Sequence, residues 1–478
     1  MAKNNKNKNK SNLKNKVSMV FIVVQLILSL FLVYQAGMLP TKYRILMGVV
    51  LLAIASVCAL LLTRKNKAYI AGYIISFIMS AVLLVGMLGF GKINGFMNAI
   101  GGDGLKTDNM VVVVYKDDSA ETLEDASDYL FAISTTIDKE NTDKMVANVE
   151  KELNKSIDIK EYSTFDEMAL ALLSGDVDAL IYNSAFDDII EGAVEGYKEK
   201  TKVIYQYGIV SEVVVEEDKD VDITKGFNVY ISGIDVSGPI KTTSRSDVNI
   251  IMSINPETKE ILLTTTPRDY FVPIPGISGG VRDKLTHAGI YGVDASMRTL
   301  EELYGIDLSY YAKVNFSSLI KIVDILGGVD VNSDYSFTSS AGYSFNKGMN
   351  HMNGEQALAF SRERYSFAEG DNQRGKNQEA VIEGIINKAL SPDILTRAGS
   401  ILNSIGDSVE TDMTTDEMNK FIAMQLSDNA KWNIESQAVV GTGSTSACFS
   451  SGSQQLYVMN PDMNSVNAAA EKINSIVE

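Results

Sequence analysis

Histidine and cysteine are almost missing from this 478-residue chain, which has two of each. His287 and His351 share no metal-binding spacing, which argues against a His-rich zinc site and leaves open a hard cation held by oxygen ligands. Cys58 and Cys448 are too far apart in sequence to suggest a disulfide framework, and Cys58 sits in an apolar run, so the redox compartment stays open. Acid is missing from the first 92 residues, and all 60 Asp and Glu lie from Asp103 onward. The formal net charge is −17 overall, and residues 93–478 alone carry −29. A body this acidic repels phosphate backbones, which excludes general nucleic-acid binding. No Walker lysine loop exists, and GFGK at Gly89 ends an apolar run. GISGG at Gly276 matches the serine-hydrolase elbow pattern but sits in a Pro/Gly loop rather than between a strand and a helix. No internal repeat appears.

What the first 92 residues do contain is three apolar runs, Val17 to Ala36, Ile45 to Leu62 and Ala68 to Phe90. Each is near the ~20 residues that cross a bilayer as a helix. The leading MAKNNKNKNKSNLKNK holds six lysines, and Arg64, Lys65 and Lys67 crowd the second short loop. The positive-inside rule makes both cytoplasmic, puts Gly37 to Arg44 outside, and leaves everything after about Gly91 outside the cell. No small-x-small cleavage site follows the first run, so an uncleaved three-span anchor is expected.

The exported part reads as two α/β pieces. MVVVVY from Met110 is strand-like, Asp143 to Leu153 and TFDEMALALLSG are helical, and DALIYN is a strand. The acidic VEEDKDVD near residue 220 reads as a linker. Beyond it, FNVYISGIDVSG is a strand, VNIIMSINPETKEILLTTTPRD a hairpin, and YYAKVNF, VDV, IESQAVV and QQLYVMN are further strands. Helices fall at Asp294 to Tyr304, at Ser317 to Leu326, twice after Ser391, and from Asn464. This alternation predicts a layered α/β/α domain with a mixed sheet. The expected division is 1–16 a disordered Lys/Asn-rich tail, 17–92 the spans, 105–218 a smaller α/β domain and 223–478 the larger one.

Positive charge returns in FSRERYSFAEGDNQRGKNQ, Phe360 to Gln378, with three arginines and a lysine in an otherwise acidic body. A strand from Ala359 to Tyr365 would place Arg362 and Arg364 on one face, and a helix from Asp371 would stack Asp371, Arg374 and Gln378 on another. Guanidinium forks match phosphate oxygens bidentately and keep their charge, so three converging arginines suit a pyrophosphate. The alternative is a solvated surface in which arginines pair with Glu363, Glu369 and Asp371. Upstream, Asp235 follows a strand, SRSD supplies Arg245 and Asp247, and TPRD supplies Arg268 and Asp269. These are either salt bridges or, for two acids at adjacent strand ends, ligands of Mg²⁺, which takes one or two carboxylates and completes its shell with phosphate and water. His287 reads as a packed, hydrogen-bonded histidine or, less readily, a base.

Taken in order, RSD, TTPRDYFV, KLTHAGIYG, YYAKVNFSSLIKIVDILGGVDV, MNGEQALAFSRER and GDNQRGKNQ resemble the motif set of the LytR-CpsA-Psr family of Gram-positive cell-envelope proteins. The three-span anchor and extra domain resemble its streptococcal capsule branch, CpsA. The resemblance implies an Mg²⁺-dependent phosphotransferase that moves a glycan, such as capsular polysaccharide, from undecaprenyl-pyrophosphate to peptidoglycan. By motif position it implies Asp235 and Asp247 as metal ligands, and Arg245, Arg268, Arg362, Arg364 and Arg374 as pyrophosphate ligands. Asp371 and Gln378 would orient Arg374 or the phosphate, with Arg268 and Asp371 nearest the chemistry. The polyprenyl tail would lie in an apolar tunnel lined by parts of IVDILGGV and EAVIEGIINKAL. Many relatives carry Arg where this chain has Asn377, and Lys376 is a candidate substitute. Implied partners are the lipid-linked glycan, peptidoglycan, the membrane and capsule-synthesis proteins. Two other roles use the same residues: a membrane-anchored polyprenyl-pyrophosphate-binding regulator, and a lipid pyrophosphate hydrolase.

Overall fold

The structure is a computed structural model that describes residues 2–37, 39–64, 67–100, 105–212, 221–234, 240–368, 370–391 and 409–478, excluding the side chains of 2–15, 92–100 and 371–372. It divides into two compact units.

The first unit holds helices Ala2–Gln35, Thr41–Thr63 and Ala68–Ile100, together with the helix Thr415–Asp428. Stretches Lys16–Gln35, Thr41–Thr63 and Ala68–Gly91 are long and apolar enough to cross a membrane. They pack through Leu32, Leu51 and Leu83, while Gln25 donates to the Ser76 carbonyl at 3.0 Å. Their outer faces expose Leu30, Ile45, Phe77 and Val85. A surface so apolar suits lipid and not water. The first helix begins at Ala2, so the lysine-rich segment, expected without structure, continues it instead. Once the apolar run has formed a helix, propagation into lysines costs little. Thr415–Asp428 belongs to this unit, although its sequence position placed it in the larger α/β domain.

In the second unit, strands β1 (Leu105–Tyr115), β2 (Leu130–Ser134), β3 (Asp158–Tyr162), β4 (Ala179–Asn183) and β5 (Thr201–Glu212) form a mixed sheet in the order β3-β2-β4-β1-β5. Helices Lys139–Leu153 and Phe165–Ser174 cover it, with Met110, Val112 and Val114 packed to one side and Val111 and Val113 to the other. That alternation is the strand period of two.

The main sheet uses β6 (Phe227–Ile234), β7 (Ser246–Asn255), β8 (Glu260–Thr265), β11 (Tyr310–Asn315), β16 (Val409–Thr411) and β17 (Asn433–Ala438), in the order β16-β11-β6-β7-β8-β17. The pairs β11/β6 and β17/β8 are parallel and the others antiparallel. Smaller ribbons pair β9 (Phe271–Pro273) with β10 (Arg282–Lys284), β12 (Val329–Ser333) with β15 (Gly348–Met352), β13 (Phe337–Thr338) with β14 (Ser344–Phe345), and β18 (Gly441–Ala447) with β19 (Gln455–Pro461). Tyr230, Ile251 and Tyr311 point to one face of the main sheet, where helices Val293–Tyr304 and Met463–Val477 bury them. Ile231, Val248, Met252 and Ala312 point to the other, toward helices Phe316–Ile325, Gly354–Arg362 and Asp371–Ala389. The result is a three-layered α/β/α domain with a mixed sheet, the expected class.

Gly233 shows how tightly β6 and β7 meet beside the site. It pairs with Val248 just before a register shift, and a Cβ there would sit 2.6 Å from the Val248 Cβ. Gly233→Ala is expected to destabilise the fold by about 1–3 kcal/mol. A lower thermal midpoint that the added Val248→Ala partly restores would verify it.

Candidate active site

Between the second face of the main sheet and its three helices lies a cavity of about 990 Å³. Most of its wall is aliphatic, with Ala312, Ile322, Val381, Ile382, Ile385 and Ile386 among the lining residues. Asp247, Arg268, Arg362, Arg364, Arg374 and Gln378 supply polar lining. Six of the residues singled out from sequence are therefore gathered around one space, and both stretches expected to form an apolar tunnel contribute to it.

Arg362 and Arg364 get there by a different route from the one expected. Residues 354–362 form a helix, not a strand. Asn353 accepts from the Gln356 backbone at 2.9 Å while the Gln356 side chain takes the Asn353 N–H at 3.0 Å, a reciprocal cap that starts the helix. Arg362 occupies its last turn, Glu363 is extended, and Arg364 follows. The NGEQ signature was the legible signal for this helix.

Glu363, one of the three acids that could neutralise these arginines, is held elsewhere. It is only 3 % exposed and accepts from the Ser340 backbone N–H at 2.5 Å, the Ser340 hydroxyl at 2.8 Å and the Ser366 N–H at 3.0 Å. Burial alone would push its carboxyl up, but the Ser340 and Ser366 hydrogen bonds outweigh that and hold it below the ordinary range. Glu363 thus anchors the segment between the two arginines instead of neutralising them. Arg362 lies over the Phe316 ring at 4.2 Å, and Arg364 lies over the Tyr365 ring at 4.6 Å and donates to its hydroxyl at 2.5 Å. Neither has an ion-pair partner among the described residues. Two guanidiniums stacked on rings, without a carboxylate, keep their forks open to an anion.

Arg268 is positioned by acids. It donates to Asp247 Oδ2 at 2.7 Å, and Asp247 Oδ1 accepts from the Thr286 hydroxyl at 3.0 Å. Asp269 pairs with Lys284. Arg245 does not line the cavity; its guanidinium donates to Asp188 of the smaller domain at 2.5 Å. Burial would raise the Asp188 carboxyl, but Lys198 and Arg245 together hold it below the ordinary range. Arg374 and Gln378 share one face of the helix Asp371–Ala389 and both line the cavity. Asn377 instead is buried and donates to the Phe360 carbonyl at 3.2 Å, tying this helix to the end of the preceding one. Neither it nor Lys376 lines the cavity. Asp235 and the Asp371 side chain lie outside the described residues; Ile234, just before Asp235, pairs with Ser246, just before Asp247.

His287 is buried off this cavity, its Nδ1 2.6 Å from Asp283, which also accepts from the Ser450 hydroxyl at 2.5 Å and its N–H at 3.0 Å. It is a packed histidine in a structural network. Sequence reasoning missed Phe316, Ser340, Tyr343 and Tyr365, which also line the cavity. Tyr365 stood next to a named arginine, whereas nothing local marks Phe316, which is 46 positions from the arginine it stacks on.

Burial drives the Glu379 carboxyl up to about 7. Its stabilising share is therefore fully present below the ordinary carboxylate range and lost as pH rises through about 7. The difference is worth roughly 3 kcal/mol at most. The thermal midpoint in detergent should fall between about pH 5 and about pH 8, and Glu379→Gln should remove most of that fall.

Fold and site define a membrane-anchored α/β protein whose aliphatic cavity carries open guanidiniums. The model of the LytR_cpsA_psr (LytR-CpsA-Psr) family matches residues 192–472, and the chain belongs to that family. The polyisoprenyl-teichoic acid–peptidoglycan teichoic acid transferase TagU of Enterococcus faecalis is 36% identical over 219 residues, 45% of this chain and 71% of that protein. TagU of Bacillus subtilis is 37% identical over 206 residues, 42% of this chain and 66% of that one. The crystal structure of B. subtilis TagU is 29% identical with a TM-score of 0.43, covering 53% of this chain and 97% of its own. The structure of TagT bound to LI-WTA is 24% identical with a TM-score of 0.44, covering 55% and 95%.

Proposed function

We propose that this protein is a phosphotransferase that moves capsular polysaccharide, or a similar glycan phosphate, from undecaprenyl-pyrophosphate to a peptidoglycan hydroxyl. The supporting observation is the pair Arg362 and Arg364, which have no carboxylate counter-ion among the described residues and border an aliphatic cavity. A polyprenyl pyrophosphate has both halves of that chemistry, a multiply charged anion on a hydrocarbon tail. The relatives' names point to glycopolymer transfer onto peptidoglycan. In this reading Arg268, Arg362, Arg364 and Arg374 hold the pyrophosphate, Gln378 and Asp371 orient it, and Arg245 joins them if it leaves Asp188. The acceptor oxygen attacks the glycan-bearing phosphorus, and the polyprenyl phosphate leaves. Fixed positive charge along that path stabilises the charge that builds on the phosphoryl oxygens.

Mg²⁺ is part of the proposal. No cluster of three His, Cys, Asp or Glu exists among the described residues. Asp247 lines the cavity on the strand next to the one that leads into Asp235, and two carboxylates with phosphate oxygens and water satisfy this ion. Bound there, it would neutralise phosphate charge. The spans would place the N-terminus in the cytoplasm and the cavity outside, where a lipid-linked donor and peptidoglycan meet and where capsule-synthesis proteins could hand over the polymer. Incubating the full chain with lipid-pyrophosphoryl glycan, Mg²⁺ and peptidoglycan tests the reading. The glycan should become wall-linked, and Asp235→Ala should make the residual rate insensitive to Mg²⁺.

A further inference from the structure

We infer that the first unit carries a second anion site, which takes the phosphodiester headgroup of an anionic phospholipid at the membrane boundary. The inference rests on the reading of the three apolar helices as membrane spans. Where the loop from Gly37 meets the second span and the helix Thr415–Asp428, a cavity of about 370 Å³ opens. Lys42 and Arg44 line it from the start of the span, and Lys420 from the helix. Lys420, Ala423, Met424 and Ser427 fall at helical spacings of three, four and seven, so one face of that helix forms the wall.

Lys42 donates to the Ser427 carbonyl at 2.7 Å and ties the last turn of this helix to the span. The side chains of Arg44 and Lys420 make no hydrogen bond or ion pair among the described residues. The acids along the helix, Asp416, Glu417 and Asp428, pair with neither; Glu417 is taken up by the Thr414 cap. Two unpaired cations therefore face one hollow. Directly beyond Arg44, the span exposes Ile45, Leu46, Val49 and Val50, an aliphatic surface on which acyl chains can lie while the phosphate reaches the cations.

Charge patterning points the same way. The positive-inside rule accounts for the lysines at the start and the cluster Arg64, Lys65 and Lys67, but gives no reason for Lys42 and Arg44 at the end of the second span that it assigns to the opposite side. A lipid phosphate supplies one. Simple interfacial anchoring would also use these residues, but would not discriminate between headgroups.

The test uses the full chain in nanodiscs of phosphatidylcholine with a minority of phosphatidylglycerol, and native mass spectrometry of the lipid retained on release. Phosphatidylglycerol should be enriched on the order of tenfold over its share of the bilayer. Arg44→Gln with Lys420→Gln should abolish the enrichment while leaving wall-linkage activity intact. Equal retention of both lipids, or unchanged enrichment in the double variant, overturns the site. Protection of Lys420 from amine-reactive labelling by inorganic phosphate as well as by phosphatidylglycerol overturns the lipid assignment. A chain that fails to enter the bilayer overturns the span reading instead, so the two failures are distinguishable.

Discussion

Replacing Arg362 with alanine should lower the rate of glycan attachment by about two to three orders of magnitude, the usual cost of removing one fixed donor to transition-state charge. The protein should stay folded. Arg362 sits in the last turn of its helix, is exposed, and makes no ion pair, so its loss strips one cation–π contact with Phe316 and nothing from the core. Arg362→Lys should recover only part of the rate, because an ammonium keeps the charge but cannot bind two oxygens at once. Steady-state transfer with purified full-length variants, alongside thermal melts, reads both effects. A rate unchanged in Arg362→Ala and in Arg364→Ala would remove the main support for the pyrophosphate site.

The second large effect concerns the aliphatic half of the cavity. Ile382→Trp should fill part of the space that the lipid tail would occupy. Displacing about four methylenes of tail into water costs roughly 3 kcal/mol, or about a hundredfold in apparent affinity. The loss should appear in KM for long-chain donors and shrink for donors with a short prenyl tail, which need less of the cavity. A folding defect would depress both donors alike. Equal loss with long and short tails would count against the tail lying there.

Much of this architecture was legible because local pattern and tertiary role agree. The β-branched run of β6 and β7, the turn NPETKE and the final helix were all readable by period, and the three spans by length and charge. The strand reading at Arg362 failed because short apolar runs do not separate helix from strand, and the cap at Asn353 decides it. Strands such as β18, GTGSTSA, have no apolar alternation to find, and only pairing with β19 makes them strands. Partner choice was the least visible. Arg245 with Asp188, Arg362 with Phe316 and Glu363 with Ser340 are each set by how distant elements pack, and no spacing rule reaches that far. Asn377 became intelligible only as a buried strut to the Phe360 carbonyl.

The central claim is the transfer itself, and the fate of one phosphorus atom tests it most directly. A donor radiolabelled only at the glycan-bearing phosphate, given to the full chain with Mg²⁺ and peptidoglycan, should leave its label in a phosphodiester between glycan and peptidoglycan, with unlabelled polyprenyl phosphate released. Label found on a free glycan phosphate, at the same rate with or without peptidoglycan, would make the protein a hydrolase. Label that never leaves the lipid would contradict catalysis altogether.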